Sequence, residues 1–206
     1  MLETKLERGR IISFIDAVFS IAMTLLVLEV AIPTYDAVAE QGTWGVLRNL
    51  VPNFIGFIVS FLVTALYWIA HLRIMTHVQH FDSKLLWINI LLLLFVVLMP
   101  FSTSFYVGGF ELLGPFVFYS FNLSAIGFFN YLIVRYVVKM KDNVGKINKV
   151  TASWEKMRAL NSCIVWVIAG LMAFIFPAVA RFTFVLIFVF QAFINAYFKK
   201  RMAKNS

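Results

Sequence analysis

Arg10, Asp16 and Glu29 fall inside one apolar run, residues 10–32. At about 1.5 Å per residue that run is long enough to cross a bilayer, yet each charge within hydrocarbon costs several kcal/mol. A spanning helix that keeps such residues turns them toward other helices or water, and this run is read as the functional helix. A carboxylate at the depth of Asp16 needs donors. Arg10 and Asp16 are six residues apart and do not face each other on a straight helix, so pairing has to cross helices. The candidates at the same level are Trp68, His71 and Arg73, which close the second apolar run, and Trp87 and Asn89 early in the third.

The elements that hold these residues follow from composition. The 206 residues are 62% apolar and 14% charged, against about 45–50% and about 25% in soluble domains. With a mean hydropathy of +0.87, the chain reads as an all-α membrane protein. Its net charge of +8 lies between and after apolar runs, as topology signals and contacts to anionic membrane lipids. No aromatic-interleaved basic patch suggests nucleic acid. Cys163 sits alone in an apolar run and reads as a small buried hydrophobe.

Six transmembrane helices are expected, at about 10–32, 52–72, 85–107, 115–138, 159–176 and 181–198, in a single domain spanning 1–206. Pro33 stops the first, Pro52 begins the second, Pro100 kinks the third, and Pro177 ends the fifth. Residues 34–49 are expected as a polar loop. Residues 139–158 form a basic loop, with an interfacial helical turn near Trp154. Ala37-Val38-Ala39 resembles a cleavage site, but the apolar stretch before it exceeds the 7–15 residues of a signal peptide and holds two acids, so the first helix is kept.

With six spans both termini lie on one side, and that side carries sixteen of the eighteen Lys/Arg, leaving only Arg48 and Arg181 opposite. The positive-inside rule makes both termini cytoplasmic, in a multi-pass protein of the cell membrane. At 100° per residue, Phe14, Ala17, Ile21, Leu25 and Leu28 share one stripe of helix 1, with Thr24 at its edge. Periodicity alone allows a helix-packing face or a pore lining closed by dewetting. Asp16 points about 140° from Ile21, toward its own subunit.

The run Arg10-x-x-x-Phe14-Ile15-Asp16 followed by Ala-Val-x-x-Ile-Ala-Met-Thr-Leu resembles the signature of the transmembrane protein 175 family, and Tyr67-Trp68-x-x-His71-x-Arg73 resembles its helix 2 ending. The resemblance covers essentially the whole chain in the single-repeat prokaryotic form. It implies a potassium-permeable cation channel built as a homotetramer, with four copies of helix 1 around a central pore. Ile21 is then the constriction, extended by Leu25 and Leu28, and Thr24 a polar ring that helps discriminate ions. Arg10, Phe14, Asp16, Trp68 and His71 form a structural network. Ile15 stands where the family signature has serine, which removes one hydroxyl. A Thr-Val-Gly-Tyr-Gly filter is absent, so selectivity has to come from side chains and a moderate potassium preference is expected.

Other readings are weaker. A secondary transporter is the alternative, but midplane polarity is sparse (Thr24, Ser60, Thr64, Asn122, Ser124) and no paired interrupted helices occur. No HExxH, GxSxG or Asp pair marks an enzyme. His77, His80 and Asp82 lack a fourth ligand, so no metal is expected, nor any cofactor beyond the permeant potassium ion. His71 is a proton sensor or, within the resemblance, structural. Glu29 is an acidic ring at the outer mouth or a solvated helix end.

Overall fold

The structure is a computed structural model that describes residues 8–140 and 147–202. The first seven residues, the start of the basic loop at 141–146 and the last four residues lie outside the described residues. The chain is helical throughout: α1 Arg8–Leu25, a 3-10 turn Leu26–Glu29, α2 Tyr35–Met75, α3 Ser83–Val97, α4 Met99–Gly108, α5 Leu113–Lys139, α6 Lys149–Met172, α7 Pro177–Ala180 and α8 Phe184–Met202. Among the described residues, four stretches are long and apolar enough to cross a membrane: Arg8–Glu29, Tyr35–Met75, Ser83–Gly108 and Leu113–Lys139. The amino-terminal turns of α6 carry Lys149, Glu155, Lys156 and Arg158, which dilutes its apolar character.

Several boundaries depart from expectation, each for a local reason. The first helix is shorter than 10–32, because the chain tightens into the 3-10 turn and becomes extended at Val30, three residues ahead of Pro33. Residues 34–49 are not a loop. The Thr34 side chain accepts from the Ala37 N–H and caps a helix that runs on to Met75, broken only at Gly42 (φ 68°, ψ 163°). That backbone conformation is open to glycine and strained for other residues. Pro52 therefore lies inside α2 rather than at its first turn. The third segment divides at Leu98, and Pro100 occupies the first turn of α4, where a missing N–H costs nothing. The Asn148 side chain accepts from the Val150 N–H, so α6 begins well before residue 159 and Trp154 is helical.

The core sits around α5, which packs against α6, α3, α4 and α2, while α8 leans on α6. Helices α5 and α6 run antiparallel, as Tyr119 against Trp166 and Gly127 against Cys163 show. Buried hydroxyls and amides tie the layers. Thr103 Oγ1 donates to Ser60 Oγ at 2.9 Å, Ser60 Oγ lies 3.0 Å from Tyr119 Oη, and Asn122 Nδ2 donates to Ser102 Oγ at 3.1 Å. In an apolar surrounding each such bond spares the cost of an unpaired polar group.

Gly127 marks a close approach of α5 to α6. A Cβ there would lie 2.9 Å from the Cys163 backbone nitrogen, whereas one at Gly108 meets nothing within 4 Å. Gly127→Ala is expected to destabilise the bundle by roughly 1–3 kcal/mol through overpacking, and Gly108→Ala to leave the packing unchanged. Thermal unfolding of the two variants in detergent, followed by size exclusion, checks the contrast.

Candidate functional site

Helix α1 has two faces with opposite environments. Ile15, Phe19, Ala22 and Leu26 are fully buried, and Ile15 is 1% exposed. Phe14, Ala17, Ile21, Thr24, Leu25 and Leu28 lie on the open side, with Ile21 57% and Leu28 72% exposed. The switch from α to 3-10 geometry preserves this stripe. Side chains three residues apart eclipse in a 3-10 helix, so Leu28 sits over Leu25 rather than drifting around the helix. The Thr24 hydroxyl donates to the Ile21 carbonyl at 2.9 Å, which spends its proton and leaves its oxygen lone pairs directed outward.

On the inner side, Asp16 is half-buried and its Oδ1 accepts from Trp68 Nε1 at 2.9 Å. Three residues further along α2, His71 is fully buried. His71 Nε2 lies 2.7 Å from Asn89 Oδ1, and Asn89 Nδ2 donates to the Leu85 carbonyl at 2.8 Å. With the amide nitrogen committed to Leu85, the Asn89 oxygen is the group that faces His71, and the imidazole proton resides on Nε2. Nδ1 is then a lone pair, without a partner among the described residues. Phe19 covers the imidazole, with ring centres 6.0 Å apart.

Of the five residues expected to form one network, the structure thus joins Asp16 to Trp68 and places His71 beside them on Asn89. It does not bring in Arg10 or Phe14. Both are exposed, Phe14 on the stripe with Ile21, and Arg10 makes no hydrogen bond or ion pair with the described residues. The tie between the start of α1 and the end of α2 comes from Arg8, whose Nη2 donates to the Met75 carbonyl at 3.2 Å. At 100° per residue Arg8 lies about 20° from Ile15, on the buried face, whereas Arg10 lies about 140° away, so helical spacing is the signal that singles out Arg8. Phe19 also escaped sequence reasoning, which followed polar residues and the outer stripe. Ile15, at the position of the signature serine, packs in the core, so an aliphatic side chain occupies the site where a hydroxyl was expected. Glu29 is half-buried beside Asn53, Thr103 and Ser104.

Among the described residues no group of three or more His, Cys, Asp or Glu is placed to hold a metal. Tyr136 Oη donates to Asp82 Oδ2, and Asp82 Oδ1 caps α3 by accepting from the Leu85 N–H. The acid near His77 and His80 is therefore committed to structure.

Removing the donor of Asp16 while keeping a ring of similar shape, as in Trp68→Phe, should cost about 1.5–3 kcal/mol, the range for a hydrogen bond to a charged group. A double-mutant cycle with Asp16→Ala, read by unfolding in detergent, should recover most of that as coupling. Additive losses would mean the bond contributes nothing.

Residues 10–100 match the profile of a family described as "Endosomal/lysosomal potassium channel TMEM175". A potassium channel of Streptomyces collinus is 36% identical over 98 residues, 48% of this chain and 47% of that protein. Against this relative the matched stretch spans about half of each chain. A potassium channel of a Chryseobacterium species is 25% identical over 85% of this chain and 87% of its own length. The crystal structure of a lysosomal potassium-selective channel TMEM175 homolog from Chamaesiphon minutus superposes with a TM-score of 0.77 at 24% identity, covering 93% of this chain and 98% of that one. That likeness establishes a shared fold.

Proposed function

We infer that this chain is a member of the TMEM175 family and a potassium-permeable cation channel in which copies of α1 line a central pore. The observation that carries the reading is the division of α1 into a face locked onto its own subunit and an aliphatic stripe, Ile21, Leu25 and Leu28, left open. A single chain cannot enclose a pathway with one helix, whereas cyclic symmetry can. A homotetramer gives four stripes around an axis, and stacked aliphatic rings close such a path by dewetting. Ile21 is the constriction, and Thr24 presents its oxygen close to it. Asp16, Trp68 and His71 set the rotation of α1 about its own axis, with Arg10 outside that network.

In this reading the whole chain is one transmembrane domain. The four long apolar stretches are joined as spans by the apolar part of α6 and by α8, for a total of six. Both termini face the cytoplasm of a cell whose plasma membrane holds the channel, because the basic residues gather on that side. Permeant monovalent cations are the only ligands required, and potassium preference is moderate because side chains rather than backbone carbonyls meet the ion.

Flux from proteoliposomes loaded with potassium tests the proposal. Native protein should carry potassium, and Ile21→Asn, which puts a polar ring at the constriction, should carry more. Thr24→Val should keep flux but narrow the ratio of potassium to sodium permeation. Leu28→Cys should crosslink through a bifunctional thiol reagent into ladders ending at four subunits. Saturating, counter-ion-coupled flux would instead indicate a transporter, and the absence of cation flux from folded, oligomeric protein would end the channel reading.

A further inference from the structure

A cavity of about 300 Å³ opens between α2, α5, α6 and α8, with no residue of α1 in its lining. Its rim is cationic. The Arg158 guanidinium lies 4.7 Å from the centre of the Trp154 ring and donates to Asn195 Oδ1 at 3.3 Å. With the Gln191 amide in its hydrogen-bonded orientation, Arg158 also donates to that oxygen from Nη2 and Nε at 2.9 and 2.7 Å. These contacts use three of the five guanidinium N–H groups and leave two free. Arg73 stacks on the same indole at 5.5 Å and pairs with Glu155 at 3.1 Å, and its Nη2 is buried without an acceptor among the described residues. Glu155 is paired with Arg73, so the Arg158 guanidinium on the rim has no carboxylate of its own among the described residues.

A second, independent feature lies deeper. Asn130 lines the cavity and is 2% exposed; its Nδ2 donates to the Tyr67 carbonyl at 3.4 Å, but its Oδ1 has no donor. Because Gly127 meets Cys163 on the antiparallel α6, Asn130 is level with Leu160, about 3 Å along the helix axis from Arg158. Val63, Leu66, Val134 and Ile187 supply apolar walls. The cavity thus offers charged donors at the rim, one unpaired acceptor a short step inside, and hydrocarbon-like surface alongside.

We propose that this cavity binds one anionic phospholipid per subunit, of the class whose head group carries free hydroxyls, such as phosphatidylglycerol. The two free N–H groups of Arg158 hold the phosphate oxygens by charge-assisted bonds, a head-group hydroxyl donates to Asn130 Oδ1, and an acyl chain lies against the apolar walls. The site rests on the channel reading only for the chain's place in a membrane, not for permeation. Trp154, amphipathic and bracketed by two arginines, suits the interfacial depth this assigns to the rim.

Native mass spectrometry of delipidated protein, titrated with phosphatidylglycerol, phosphatidic acid, phosphatidylcholine and glycerol 3-phosphate, tests the site. Phosphatidylglycerol should bind once per subunit, about tenfold tighter than phosphatidylcholine, given charge-assisted bonds that only the anionic lipid makes unopposed. Phosphatidic acid, without the hydroxyls, should fall between them, and glycerol 3-phosphate should bind weakly. Arg158→Gln should reduce phosphatidylglycerol to the level of phosphatidylcholine. Ala192→Trp, which fills the cavity from its exposed rim and spares both arginines, should do the same. Equal binding of the two lipids, or binding unchanged in both variants, would overturn the assignment. Glycerol 3-phosphate binding as tightly as the lipid would replace it with a site for a soluble phosphate ester. Because binding is read without flux, loss of this site leaves the channel reading standing, and loss of flux leaves the lipid stoichiometry standing.

Discussion

Hydrocarbon offers no hydrogen-bond partners, so an acidic side chain within a spanning helix has to be met from inside the protein. Here the acid is Asp16 and the group that meets it is the Trp68 indole N–H. That single bond crosses from α1 to α2 and fixes the rotation of α1. With Asp16 turned inward, Ile15, Phe19, Ala22 and Leu26 enter the core and the opposite stripe is left without cover. The pairing of His71 with Asn89 continues the lock onto α3, and Arg8 closes the end of α2 by donating to the Met75 carbonyl, which also accepts from the Val78 N–H. The open face of α1 is thus a by-product of what its other face must bury.

The rest of the bundle follows the same economy of polar groups. Ser60, Thr103 and Tyr119 satisfy one another between α2, α4 and α5, and Asn122 finds Ser102. Small residues do complementary work where helices approach most closely, as at Gly127 against the Cys163 backbone. Together they leave α5 central, with α1 packed on α2, α3 and α4, and α8 on α6.

How much of this could be read in advance depended on range. The α1 stripe was legible because a 100° period needs only neighbouring residues. The depth at which Asp16 meets its partner is legible because antiparallel spans bring their matching ends to one level, but spacing leaves Trp68 one of five candidates there. The side of α1 that Arg8 occupies is also written in the spacing, about 20° from Ile15 where Arg10 lies about 140° away; only the path of the chain decides that it reaches Met75. The polar stretch 34–49 reads as a loop on composition, whereas Thr34 caps a helix there and a single glycine interrupts it. The arginine-rimmed cavity was invisible for a different reason. Its walls come from four helices, and its existence depends on α8 leaning on α6 instead of closing against α2.

The 3-10 turn after Leu25 has a consequence for how this region can change in evolution. Between Ile21 and Leu28 every residue is counted: a substitution alters one side chain, but an inserted or deleted residue rotates everything beyond it by about 100–120°. Leu28 would then exchange places with a core residue, and the stripe would end at Leu25. Gly42, by contrast, lies between two helical stretches joined through one freely chosen torsion, so length changes next to it only swing the outer segment. Sequence drift in this protein should therefore be tolerated as letters in the first helix and as length in the segment that follows.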